Sequence, residues 1–140
     1  MNSRNTRRFT AKQAEFDAIR AFVESACGRV DDDERSRAVL LVEELFANSV
    51  VHGYGGDSDQ PVWLTVDVDA HGCRLVYEDC APPYNPFLAE EPDLDGMAPE
   101  DRPIGGLGIV LLNELSTDRS YARRSGRNVI EMRVRRTVHH

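Results

Sequence analysis

The sequence lacks any long apolar segment. No run of about 18 apolar residues, the length that a membrane-spanning helix needs, occurs among its 140 residues. The first 16 residues are polar and charged and lack the apolar core of a secretory signal. These absences predict a cytoplasmic protein that does not enter a membrane.

Cysteine and lysine are scarce. Cys27, Cys73 and Cys80 show neither a CxxC pair nor a histidine at metal-ligand spacing, so we expect reduced thiols and no zinc site. Lys12 is the single lysine beside 16 arginines. With 24 acidic residues against 17 basic ones the net charge is −7, which disfavours direct nucleic-acid binding.

Charge is unevenly distributed along the chain. Residues 78–101 contain eight acidic residues and no basic one, whereas residues 116–140 contain seven arginines and two acids. The basic segment indicates either a solvated strand face or a surface for a partner or a phosphate group. Length and composition, with 41% apolar and 29% charged residues, predict one globular domain over residues 1–140.

Apolar periodicity predicts an order of helices and strands. The predicted helices cover residues 12–27, 32–52 and 105–115, and the predicted strands cover residues 5–9, 62–68, 73–79, 117–122 and 128–135. Prolines and acids make residues 81–104 a long loop. Because this order contains no βαβαβ alternation, a parallel Rossmann sheet is not expected. We predict an α+β fold, a two-layer sandwich whose mixed, mainly antiparallel sheet has its helices on one face.

The first group of residues with candidate chemistry lies on the second helix. Glu44, Asn48 and His52 recur every four residues, which places them on one helical face before Gly53. An asparagine oxygen is a suitable Mg²⁺ ligand, and a glutamate one turn away can take a proton from a hydroxyl group. The same spacing also fits the solvated polar face of an amphipathic helix.

The second candidate is Asp79, at the end of a strand whose Leu75 and Tyr77 share its face. A buried carboxylate needs a partner and accepts well from an amine, such as the exocyclic amine of adenine. An aspartate that caps its own turn is the alternative interpretation.

The third candidate is the glycine-rich stretch at residues 105–109. Glycines let the backbone approach a phosphate closely, and the helix that they open presents free N–H groups and the positive end of its dipole. The stretch lacks the Lys-Ser/Thr of a P-loop and the preceding strand of a dinucleotide fingerprint. Alone, it is also compatible with a flexible hinge.

Taken together and in this order, the three groups resemble the GHKL, or Bergerat-fold, ATPases. The similarity covers residues 12–136 and is carried by VEELFANSVVHGYGG (42–56), EDCAPPYNPF (78–87) and residues 102–133. Within that superfamily the compact chain is most similar to the bacterial anti-sigma factor serine/threonine kinases. It shows neither a preceding pair of dimerisation helices with a phosphorylatable histidine nor a following transducer domain.

The resemblance implies roles for the residues of the N-box, residues 42–56. Glu44 would be the catalytic base for the attacking hydroxyl group. Asn48 would be the metal ligand, holding the Mg²⁺ that bridges the phosphates of ATP. His52 and Gly53 would lie beside the nucleotide.

The resemblance also implies roles for later residues. Asp79 would bind adenine in the first glycine box, residues 78–87, followed by Ala81 and Pro83. Residues 84–104 would form the ATP lid, with Arg102 at its C-terminal hinge. The second glycine box would contact the phosphates through Gly105, Gly106, Leu107, Gly108 and Ile109.

Ala81 departs from the family pattern, which usually has glycine two residues after the aspartate. Alanine lacks the positive-φ freedom of glycine. Its single methyl group can still fit against an adenine, but the departure weakens the expectation of tight ATP binding.

The function that the resemblance implies is that of an ATP- and Mg²⁺-dependent serine/threonine kinase. Its partners would be an anti-anti-sigma (STAS) protein that it phosphorylates, a sigma factor that it sequesters, and a second copy of itself. An ATP-gated regulatory binding module without phosphotransfer activity is the alternative. An ATP-independent interaction domain that keeps the fold is a third possibility, which only Ala81 favours.

Overall fold

The computed structural model describes residues 3–28, 30–88 and 106–136. Three helices and five strands follow the predicted order. They are β1 (Ser3–Thr10), α1 (Phe16–Ala26) after a 3₁₀ turn (Gln13–Glu15), α2 (Asp32–Ala47) continued by a π-helical segment (Asn48–Gly53), β2 (Pro61–Asp69), β3 (Gly72–Asp79), α3 (Gly106–Leu115), β4 (Ser116–Arg124) and β5 (Arg127–Val134). No helix in these ranges is long and apolar enough to cross a membrane.

The five strands form one sheet in the order β1-β2-β3-β5-β4. All four neighbouring pairs are antiparallel. β3 and β4 therefore run in the same direction. They form no hydrogen bonds with each other as neighbouring strands, because β5 lies between them. The predicted α+β class is confirmed, and the sheet is antiparallel in its described pairs rather than mixed.

One face of the sheet is packed against helices α1 and α2. Alternation along the strands places one row of side chains in the core, as predicted for β2 and β3. The fully buried members of this core include Leu64, Leu75 and Tyr77 from the sheet and Ile19, Leu41 and Phe46 from the helices. The two helices also pack against each other through aromatic side chains, because Phe16 of α1 lies edge-on to Phe46 of α2 with ring centroids 4.9 Å apart.

Helix α2 begins and ends differently. At its start, the Asp31 side chain accepts a hydrogen bond of 2.7 Å from the Glu34 N–H and caps the helix. At its other end the α-helix stops at Ala47 rather than at the predicted His52. The next six residues are π-helical, with a hydrogen bond of 2.8 Å from the Tyr54 N–H to the Ser49 carbonyl.

The outer face of the sheet carries paired charges. Arg133 binds Asp69 at 2.7 Å, which lowers the pKa of that carboxyl group to about 2. Arg127 stacks 3.5 Å above the Trp63 ring. Arg119, Arg123 and Arg135 donate to backbone carbonyl groups. Most arginines of the basic segment are thus engaged within the chain, which does not support its interpretation as a free phosphate-binding surface.

Candidate functional site

The predicted N-box and first glycine box meet at the end of β3. Ser49, in the π-helical segment, donates a hydrogen bond of 2.6 Å to Oδ2 of Asp79. Gly53 lies directly against Ala81, because a Cβ atom added to Gly53 would come within 2.8 Å of the Ala81 Cβ. The fold therefore joins two stretches that the sequence keeps about one quarter of the chain apart.

The carboxylate of Asp79 is buried and accepts three hydrogen bonds. Oδ1 accepts from Nδ2 of Asn128 at 2.8 Å and from the N–H of Ala81 at 3.2 Å, while Oδ2 accepts from Ser49. Asp79 therefore caps its own turn, as the alternative interpretation predicted, and is also held by two other elements. A carboxylate has about four acceptor positions, so one position on Oδ2 is left for a ligand.

The hydrogen bond between Ser49 and Tyr77 has a defined direction. Ser49 Oγ lies 2.7 Å from Tyr77 Oη in the core. The single proton of Ser49 points to the Asp79 carboxylate, which only accepts, so Tyr77 must donate to Ser49. Burial raises the pKa of Tyr77 well above its usual range, which keeps this phenol protonated and able to donate.

Asn128 on β5 joins four parts of the structure through one buried side chain. Its Nδ2 donates to Asp79 and also lies 3.2 Å from the Ala81 carbonyl oxygen. Its Oδ1 accepts from Oη of Tyr121 at 2.5 Å and from the N–H of Tyr84 at 3.1 Å. Asn128 thus fixes the loop after β3 against both C-terminal strands.

Two further side chains hold this loop from opposite sides. Tyr54 Oη accepts from the Cys80 N–H at 2.6 Å and donates to the Pro61 carbonyl at 2.8 Å. Burial is the main reason that the pKa of Tyr54 is raised to about 12. Arg123 donates a hydrogen bond of 2.6 Å to the Ala81 carbonyl. The backbone that follows Asp79 is therefore anchored independently of any ligand.

Ala81 fits its position without backbone strain. Among the non-glycine residues that the structure describes, Asp118 and Ser125 alone have positive φ, so Ala81 does not require the freedom of glycine. Its side chain is buried against Gly53. Gly53 supplies the space that the methyl group occupies, and the departure from the family pattern does not distort the site.

Glu44 and Asn48 differ from Asp79 and Asn128, whose polar atoms have hydrogen-bond partners within the protein. Both are half-buried, and neither side chain forms a hydrogen bond or ion pair with another residue of the described ranges. Burial raises the pKa of Glu44, and the neighbouring charge of Glu43 adds to the effect. His52 is exposed, because the wider π-helical turn interrupts the α-helical row predicted for the three side chains.

The family model of the histidine kinase-like ATPase domain matches residues 9–134. This chain belongs to that family. The match runs from β1 to the end of β5 and includes the N-box and both glycine boxes. A domain of this GHKL type is an ATP-binding module with ATPase or kinase chemistry. No curated protein matches the chain.

Other predicted residues of this histidine kinase-like ATPase domain are less fully described. Pro83 is exposed in the loop after β3. Gly106, Leu107, Gly108 and Ile109 form the first turn of α3, as the prediction of a glycine-opened helix requires. Arg102, Gly105 and most of the predicted lid lie outside the described residues. The contacts of the second glycine box therefore stay a prediction.

The sequence reasoning missed several residues of the ATPase domain that hold Asp79. Asn128 had a detectable signal, because it is the one polar residue in a strand row with Ile130, Met132 and Val134. Ser49 lies next to Asn48 in the predicted helix, but nothing in the sequence indicated its hydrogen bond to Asp79. Tyr54 and Tyr121 carried no signal, since their hydroxyl groups act through tertiary contacts.

The residues present fit an adenine nucleotide with a divalent cation. The free acceptor position on Asp79 suits one N–H of an amino-purine. The amide oxygen of Asn48, which has no partner in the described part of the chain, is the kind of hard ligand that Mg²⁺ prefers. Glu44 lies one helical turn before Asn48, and its carboxylate likewise has no partner in that part.

Proposed function

We propose that this cytoplasmic domain binds ATP with Mg²⁺ and transfers the γ-phosphoryl group to a serine or threonine of an anti-anti-sigma (STAS) protein. The same domain would sequester a sigma factor when it is not bound to that protein, and would work as a homodimer. The observation that carries the proposal is Glu44, a half-buried carboxylate with a raised pKa and no partner among the described residues, one turn from Asn48.

Each residue would contribute a separate step. Asp79, fixed by Ser49 and Asn128, would accept an N–H of the base and set the orientation of the nucleotide. Asn48 would hold Mg²⁺, which when bound neutralises phosphate charge. Glu44 would accept the proton of the attacking hydroxyl group, and a raised pKa makes it a better base near neutral pH.

Release of the phosphorylated partner would follow from charge. A phosphate group adds about two negative charges at neutral pH. Residues 78–101 carry eight acids and no base. Repulsion from this stretch would weaken binding of the modified partner, so a phosphomimetic partner should bind less tightly than the unmodified one.

The proposal is tested in two steps, beginning with calorimetry of ATP and Mg²⁺. We expect ATP to bind to the wild-type protein and not to Asp79→Asn. The carboxylate accepts hydrogen bonds at two oxygen atoms, whereas the asparagine amide accepts at one. Circular dichroism of the variant checks that the fold is intact. Absence of binding to a folded wild-type protein would overturn the proposal.

The second step measures phosphoryl transfer from labelled ATP to candidate STAS proteins. Glu44→Gln should reduce the rate by about 100-fold or more while keeping ATP affinity. Glu43→Gln is the matched control, because Glu43 is an adjacent acid paired with Arg20 at 3.2 Å, and it should keep most of the rate. ATP binding without transfer to any STAS protein would support the ATP-gated binding module instead.

A further inference from the structure

Two of the three cysteines lie side by side in the core. Cys27 follows the last residue of α1, and Cys73 is the second residue of β3. Their Sγ atoms are 3.2 Å apart although 46 positions separate them in sequence, and both side chains are fully buried. Cys80, the third cysteine, is exposed. Sequence spacing shows none of this, since the pair is formed by tertiary structure.

Both cysteines are fixed in place by their backbones. The Cys27 N–H donates to the Val23 carbonyl at 2.9 Å, and the Cys27 carbonyl accepts from the Val30 N–H at 3.1 Å. The Cys73 N–H donates to Oε1 of the buried Glu34 at 3.1 Å. A disulfide bond is about 2.05 Å long, so the sulfur atoms need to approach by only about 1 Å. Little conformational freedom remains to be lost when they join.

We propose that Cys27 and Cys73 form a reversible disulfide by exchange with small-molecule disulfides such as glutathione disulfide. One thiol loses its proton and attacks a sulfur of glutathione disulfide, releasing one glutathione thiolate. The second thiol loses its proton and attacks the protein sulfur of the mixed disulfide, which releases the second glutathione. The protein loses two protons and two electrons, and two molecules of reduced glutathione are formed.

Burial of the two thiols slows the formation of the disulfide but does not destabilise the disulfide once it has formed. The hydrogen bond with Cys27 and burial both raise the pKa of Cys73, and both thiols are fully buried, so glutathione disulfide reaches neither of them in the folded state. Exchange therefore requires a local opening of the fold that exposes Cys27 or Cys73. Once formed, the bond closes a loop of 46 residues, and a loop of that size stabilises the folded chain.

The disulfide would form at the opposite end of β3 from Asp79. Cys73 and Asp79 are six positions apart on an extended strand, a distance of about 20 Å. Oxidation should therefore change the stability of the domain and leave the geometry around Asp79 in place. The inference does not depend on the proposed kinase function.

The test equilibrates the folded full-length protein in glutathione buffers of increasing oxidised fraction, followed by acid quenching and mass spectrometry. We expect the intact protein to lose the mass of two hydrogens and its digest to contain a peptide linking Cys27 to Cys73. Cys80→Ser should give the same product, whereas Cys27→Ser and Cys73→Ser should not. The oxidised protein should melt several degrees higher than the reduced one, and dithiothreitol should reverse the shift.

A second experiment distinguishes a disulfide that forms slowly because its thiols are buried from a disulfide that is unstable in the folded protein. The protein is unfolded and refolded in the most oxidising buffer, which exposes both thiols before the fold re-forms. Recovery of two free buried thiols with glutathione attached to Cys80 alone would overturn the proposal. A disulfide that includes Cys80 instead of Cys27 or Cys73 would also overturn it.

Discussion

The two ends of the candidate site are built in opposite ways. At the base end, which consists of Asp79, Ser49 and Asn128, the protein supplies donors and acceptors for nearly every polar atom. At the end with the proposed catalytic role (the catalytic end), which consists of Glu44 and Asn48, the half-buried polar groups have no such partners among the described residues.

This difference separates stability from reactivity. Buried polar groups that are paired contribute to folding, and unpaired ones reduce stability because they lose contact with water without compensation. Changes at the base end should therefore reduce the free energy of unfolding together with nucleotide affinity. Changes at the catalytic end should reduce the rate of reaction and leave stability unchanged or slightly improved.

The largest effect is expected from Asn128→Ala. It removes the donor to Asp79 and the acceptor for Tyr121 and Tyr84 at a buried position. We expect a loss of about 3 kcal/mol in the free energy of unfolding, measured by urea denaturation, and weaker ATP binding. Asn5→Ala, at an exposed position on β1, is the control and should change stability by less than about 0.5 kcal/mol. A loss below about 1 kcal/mol in Asn128→Ala would contradict this account of the base end.

A smaller effect is expected from Ser49→Ala. The substitution removes one donor from Asp79 and leaves the buried Tyr77 hydroxyl group without its acceptor. We expect a loss of about 1–2 kcal/mol. Adding Tyr77→Phe should recover part of this loss, because removing both partners leaves no orphaned hydroxyl group. Losses in the double variant equal to the sum of the single ones would show that the two hydroxyl groups are not coupled.

The smallest effect is expected from Glu44→Gln, and its sign is opposite. The raised pKa of Glu44 means that the folded state disfavours the ionised carboxylate relative to the unfolded state. That penalty is present at pH 7 and disappears as the pH falls below the unfolded pKa of about 4.3. We expect Glu44→Gln to raise Tm by about 1–2 °C at pH 7, with no gain near pH 4. Glu43→Gln should show no gain at pH 7, because it loses the ion pair with Arg20.

The sequence predicted most of the fold because periodicity reports burial. The alternation of β2 and of β5 identified the rows of side chains that face the core, and the order of elements excluded a parallel sheet. The end of α2 was not predictable in the same way. The change to π-helical geometry after Ala47 is set by packing of Ser49 and Val50 in the core and by later backbone hydrogen bonds, which a local pattern does not report.

The candidate site was predicted in part for a related reason. Asp79 and Asn48 belong to local motifs, so the sequence alone could identify them as candidates. The support of Asp79 by Ser49 and Asn128, and the contact between Cys27 and Cys73, arise from residues far apart in sequence. Such contacts require knowledge of which strands are neighbours, and β5 pairs with β3 although α3 and β4 lie between them in the chain.

The position of β5 has a consequence for synthesis of the protein on the ribosome. β5 is the last of the described strands along the chain but lies inside the sheet, between β3 and β4. When β4 leaves the ribosome it has no neighbour to pair with, and β3 presents an open edge until Arg127–Val134 emerge. Asn128 enters with that strand, so the carboxylate of Asp79 gains its partner from β5 at the same step that closes the sheet. During translation, the base end of the site can therefore be assembled only when the sheet itself is complete.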